Sequence, residues 1–87
     1  MLYRILTEDK NRDKIEHETR KLFPGFTIIE ATGYWKSSKE KSLIIEIWAG
    51  DDVYISPIIT TLAERIKAFN NQESVLVQEF KCTGRLV

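Results

Sequence analysis

Cysteine and histidine are nearly missing from this chain, with one of each among 87 residues. A lone Cys82 excludes an internal disulfide and a multi-thiolate metal site. Prolines number two and glycines four, which excludes collagen-like and Pro/Gly-rich low-complexity classes. An excess of one charge is missing too: 13 Lys+Arg balance 13 Asp+Glu. Zero net charge withholds the electrostatic footprint of a nucleic-acid binder and the self-repulsion of an acidic disordered chain. No uncharged run approaches the ~18 apolar residues of a membrane span. Met1 leads directly into Leu2-Tyr3-Arg4-Ile5-Leu6, too short and too charged for a signal peptide. The expectation is a soluble cytoplasmic protein with no membrane and no nucleic-acid partner.

What is present is an ordinary globular mix, 43% apolar and 30% charged. The length suits one domain over 1–87, a size that buries roughly 60–65% of the surface its unfolded chain exposes. Leu2 to Thr7 alternates and reads as a first strand. Asn11 is placed to cap a helix over Arg12 to Phe23, with Ile15, Thr19, Leu22 and Phe23 at helical spacing, and Pro24-Gly25 ends it. Phe26 to Trp35 is β-branched and aromatic, a second strand with Thr27, Ile29 and Ala31 sharing a face. Lys36 to Glu40 is a polar connector. Lys41 to Ala49 is a third strand, with Leu43, Ile45 and Ile47 on one face, and Gly50-Asp51-Asp52 is a turn. Ser56 as N-cap and Pro57 at the first helical position start a helix that runs to Phe69, with Ile59, Leu62 and Ile66 inward. Asn70-Asn71 stops it, and Ser74 to Thr83 is a last strand.

The order β-α-β-β-α-β, with right-handed crossovers, predicts an α+β ferredoxin-like sandwich. Two helices lie on one face of a four-stranded antiparallel sheet in the order 4-1-3-2. One end of such a sheet gathers the connectors Glu8–Arg12, Tyr34–Lys41 and Asn70–Ser74. Loops at the end of a rigid sheet are a usual place for function. Tyr34, Trp35, Gln72, Glu73 and Arg12 are therefore the candidate ligand-binding residues.

Phe23-Pro24-Gly25-Phe26-Thr27, Gly33-Tyr34-Trp35, Glu40-Lys41-Ser42 and Gln72-Glu73-Ser74-Val75-Leu76-Val77 resemble the pattern of a family of small bacterial proteins, a domain of unknown function. The G-x-W and Q-E-S-V-L pieces are its more specific parts. That resemblance implies no mechanism and no ligand. Gly25 to Tyr34, and Ile44-Ile45-Glu46-Ile47 followed by Asp51-Asp52, are similar to strands of the PII and CutA group of trimeric ferredoxin-like proteins. The long partner-binding loop of PII proteins shrinks here to the Lys36–Glu40 connector. Their glycine-rich turn, which helps hold ATP phosphates, is replaced by Asn70-Asn71-Gln72-Glu73. The PII likeness therefore implies the fold and an oligomer but no nucleotide, and no cofactor is expected.

Catalytic candidates fail on their surroundings. His17 lies away from the apolar stripe of its helix, with Arg20 and Lys21 where metal partners would sit, so no metal site is expected. Ser74 lacks the adjacent base that a nucleophilic serine requires. The structural reading of Gln72 and Glu73 is a tie between helix end and strand start through side-chain to backbone bonds. Trp35 is either a stacking platform for a planar ligand or a packing residue against Phe69. Cys82 reads as a small buried hydrophobe. No catalytic residue is assigned.

Alternation supplies the last expectation. With Ile5, Ile29, Leu43, Ile45 and Ile47 under the helices, the opposite face receives Leu6, Ile44, Trp48, Leu76 and Phe80, mixed with Arg4, Glu30, Glu46 and Gln78. A solvated sheet face should be mostly polar, and this one is not. The expected behaviour is self-association through that face as a dimer or trimer, in a non-enzymatic module that binds a small ligand or partner at its hairpin end. The competing class is a small enzyme of the dimeric α+β barrel type, with a pocket between sheets lined by Trp48 and Glu46. The bland alternative has Gly84-Arg85-Leu86-Val87 folded back over the face, or Phe80 turned inward by a one-residue shift.

Overall fold

The computed structural model describes residues 1–50 and 54–87. Its elements are β1 (Leu2–Glu8), α1 (Arg12–Leu22), β2 (Thr27–Trp35), β3 (Ser38–Trp48), α2 (Ile55–Asn70) and β4 (Leu76–Phe80). All pairings are antiparallel. The hydrogen-bonded order is β2-β3-β1-β4, which counted from the opposite edge is 4-1-3-2. The chain is thus a small α+β protein with one four-stranded antiparallel sheet and two helices.

The core follows from two periodicities meeting. Tyr3 and Ile5 of β1, and Leu43, Ile45 and Ile47 of β3, alternate onto one face and are buried. Ile15 and Phe23 from the α1 segment join the same cluster as Ile59, Leu62, Ala63 and Ile66 of α2, so both helices cover that one face. Fully burying each Leu or Ile side chain stabilises the fold by about 1.5–3 kcal/mol before ordering entropy is subtracted. Thr19 sits among them on α1, its hydroxyl donating to the Ile15 carbonyl at 2.7 Å.

Several expectations are corrected. Both asparagines flanking the helices take left-handed backbone: Asn11 before α1 at φ 53° and Asn71 after α2 at φ 53°. Asn tolerates that region better than most residues. Asn11 makes no side-chain cap to its own helix; its amide donates instead to Asn70 Oδ1 at 2.9 Å. Ser56 is not the N-cap of α2, because the helix starts two residues earlier than expected, at Ile55, with Tyr54 in the cap position. The Ser56 hydroxyl donates to Glu79 Oε1 at 2.8 Å. The connector between β2 and β3 shortens to Lys36-Ser37, both at positive φ (48° and 66°), a left-handed two-residue turn that matches strand twist and lets β3 begin at Ser38. β4 stops at Phe80, so Lys81, Cys82 and Thr83 lie beyond it, and Cys82 is exposed rather than buried. The Asp51-Asp52 part of the expected turn lies outside the described residues.

β2 shows the largest correction. Its register pairs Ile28 with Ile45 and Ile29 with Ile44, which puts Ile28 against the core and Ile29 on the open face. Glu30, expected on the open face, turns to the helix side and bonds Arg12. Ile28 and Ile29 are equally β-prone neighbours, so alternation within β2 alone does not choose between them; the tight turn into β3 does.

Glu18 links the helices. Its carboxylate pairs with Lys21 at 3.3 Å and Arg65 at 3.2 Å. Lys21 first, then Arg65, holds its pKa below the ordinary 4.5. A depressed carboxylate contributes stability that is present above its unfolded pKa and lost as pH falls through the folded one. Glu18→Gln is therefore expected to make stability less pH-dependent below about 4.5, read by urea denaturation at stepped pH. An unchanged slope removes the link.

Candidate hairpin-end cavity and open sheet face

Where β1 ends, the β2–β3 hairpin closes and α2 hands over to β4, the surface holds a cavity of about 510 Å³. Its floor is open-face sheet: Leu6, Ile44, Leu76, Ala31 and Ser42. Tyr34, Trp35 and Glu40 of the hairpin wall one side, and Asn71, Gln72, Glu73 and Ser74 wall the other, with Thr7 and Glu8 also lining it. The two-residue turn carries the hairpin past the rest of the sheet and leaves Tyr34 and Trp35 73% and 54% exposed. Gly33 permits a close approach: a Cβ there would lie 2.5 Å from the Ser42 hydroxyl oxygen.

Four of the five ligand-binding candidates, Tyr34, Trp35, Gln72 and Glu73, line this one cavity although more than thirty positions separate the pairs. Arg12 does not. Its guanidinium pairs with Glu30 at 2.8 Å and Asp9 at 2.9 Å, and Glu30 foremost raises its pKa. Arg12 stands apart because β2 presents Glu30 to the helix side.

Gln72 is held by the chain itself. Its amide oxygen accepts from Thr7 Oγ1 and, at 3.0 Å, from Asn70 Nδ2, while its amide nitrogen donates to the Ser74 carbonyl at 3.2 Å. Thr7 and Asn70 are each only 4% exposed. This knot joins β1, the end of α2 and the start of β4, and Asn11 extends it to α1. Glu73 stays out of the knot and is exposed. It pairs with Lys36 at 3.6 Å, and Lys36 also stands 5.8 Å from the centroid of the Trp35 ring. Phe69, weighed as a packing partner for Trp35, is instead covered by Lys14 at 4.9 Å.

The cavity offers aromatic surface, an apolar floor, hydroxyls and carboxylates. Its lining holds no histidine, cysteine, lysine or arginine, and His17 is exposed on α1. Glu8 is paired with Lys10 at 2.7 Å. Among the described residues no group of three or more His, Cys, Asp and Glu is placed to hold a metal ion.

The interface candidates all fall on the open face, in rows set by register. One apolar row crosses all four strands as Ile29, Ile44, Leu6 and Leu76. A polar row follows, Thr27, Glu46, Arg4 and Gln78, with Arg4 Nε donating to Glu46 at 2.6 Å. A second apolar row is Trp48, Leu2 and Phe80. Leu76 is 52% exposed, Trp48 49% and Phe80 38%. Phe80 is not turned inward, since it pairs with Leu2 and lies under the Arg4 guanidinium at 5.3 Å. The tail approaches the face at Gly84, where a Cβ would meet the Trp48 indole at 3.5 Å. Leu86 and Val87 project fully into solvent. Sequence reasoning missed Ile29 as a member of these rows, because it placed Ile29 under the helices.

No family model and no curated protein matches the chain. Among the described residues no helix is long and apolar enough to cross a membrane. Among solved structures the chain is similar to a phage SAM lyase in its apo state, with a TM-score of 0.68 and 16% identity over 87% of this chain and 75% of that one. At that identity the likeness concerns the fold alone: a small α+β sandwich with a four-stranded antiparallel sheet and two helices.

Proposed function

We propose that this chain is a non-enzymatic, self-associating module of ferredoxin-like fold, working in the cytoplasm and taking a small ligand or a partner segment in its hairpin-end cavity. The observation that carries the reading is the open sheet face. An apolar row spans all four strands there, and three of its members, Leu6, Ile44 and Leu76, are also the cavity floor. Contiguous apolar surface of this kind marks interaction sites. The enzyme reading requires a pocket between the sheets of two paired copies, lined by Trp48 and Glu46. Within one chain Glu46 is already engaged by Arg4 at 2.6 Å, which supports a structural part for that carboxylate. Sedimentation equilibrium at tens of micromolar is expected to show an oligomer. A strict monomer removes self-association from the reading.

A further inference from the structure

We propose that the partner on the open face is a second copy of this chain, placed by a two-fold axis that runs parallel to the strands between β1 and β3. The inference rests on the self-association proposed above and adds its geometry. Two sheets packed face to face can be related by an in-plane two-fold either along the strands or across them. An axis across the strands, along the polar row, sets Arg4 opposite the partner's Arg4 and Glu46 opposite the partner's Glu46. An axis along the strands reverses the strand order and keeps every row at its own level. β3 then faces β1 of the other copy, and β2 faces β4.

Under that operation the rows match themselves. Ile44 meets the partner's Leu6, Trp48 meets the partner's Leu2, and Ile29 meets the partner's Leu76, following the observed register. In the polar row Glu46 meets the partner's Arg4, so the two intrachain pairs become one square of alternating charges. Like charges facing each other across an interface select strongly against the wrong arrangement. Aligned sheets pack with about a 30° twist, so the match is best near the axis, where Arg4, Glu46, Leu6 and Ile44 sit. A two-fold along the strands also keeps both hairpins at the same end. The Leu6–Ile44 floor of one cavity then faces the floor of the other, and each cavity is closed by the second copy.

The test uses charge reversal in a mixture. Arg4→Glu carries two carboxylates in the polar row and Glu46→Arg carries two guanidinium groups, so each variant alone repels its own copy. Mixed one to one, the proposed geometry restores both interchain pairs while each chain keeps its internal repulsion. The expected result by sedimentation equilibrium is two weakened homodimers and a heterodimer about tenfold or more tighter than either. Thr27→Lys mixed with Gln78→Glu provides a second pair. These positions sit on opposite edge strands of one chain but face each other across the axis, and the heterodimer is expected above its statistical share. The first mixture would also pair about an axis across the strands, so the second pair reads the axis. A wild-type dimer whose Thr27→Lys and Gln78→Glu mixture shows no preference overturns it and leaves self-association standing. A wild-type trimer also overturns it, and a wild-type monomer overturns both.

Discussion

Trp48→Glu is expected to abolish self-association at tens of micromolar while leaving the monomer folded. Trp48 stands at the end of β3, about half exposed, in a row with Leu2 and Phe80. It belongs to no buried cluster under the helices, so the sheet-to-helix core is untouched. Tryptophan is among the interface residues whose loss costs most, commonly about 2 kcal/mol or more. A carboxylate in its place adds the cost of desolvating a charge opposite Leu2 of a second copy. Together these weaken association by about a hundredfold or more, since each 1.4 kcal/mol is about tenfold. Sedimentation equilibrium of wild type and variant, with far-ultraviolet circular dichroism as the folding control, reads the result. An assembly unchanged by Trp48→Glu moves the interface off this face.

Gln72→Ala is expected to lower the unfolding free energy by about 2–4 kcal/mol, because it strands two groups at once. Thr7 Oγ1 and Asn70 Nδ2 both donate to the Gln72 amide oxygen, and both residues are 4% exposed. A buried donor without a partner costs about 1–3 kcal/mol, more than the net worth of the bond it lost. Glu73→Ala, one residue along, is expected to change stability by less than about 0.5 kcal/mol, since its Lys36 pair is exposed on both sides. Urea denaturation of the two variants separates the roles. A Gln72→Ala loss below about 0.5 kcal/mol refutes the knot. Ligand binding that follows Glu73 but not stability would mark Glu73 as the part of this turn that faces a ligand.

Much of this architecture was legible in the chain itself. Strict alternation in Leu43, Ile45 and Ile47 told the core face of β3, and the helical spacing of Ile59, Leu62 and Ile66 did the same for α2. Both signals are strong because burial acts on every second or every third-to-fourth residue, and one substitution does not erase them. The convergence of Trp35 and Gln72 was also legible, because antiparallel order alone sets which connectors share an end. Three other features were decided only in the folded chain. The parity of β2 was ambiguous, with Ile28 and Ile29 equally apolar, until the two-residue turn at Lys36-Ser37 set its register on β3. Arg12 was assigned to the cavity, but it follows Glu30, whose side depends on that same parity. Gln72 read as a candidate contact for a ligand, yet Thr7, Asn70 and Ser74 claim its amide. Periodicity records which residues avoid water, whereas a hydrogen-bond partner is chosen by three-dimensional proximity between segments as much as 65 positions apart, and no local pattern carries that distance.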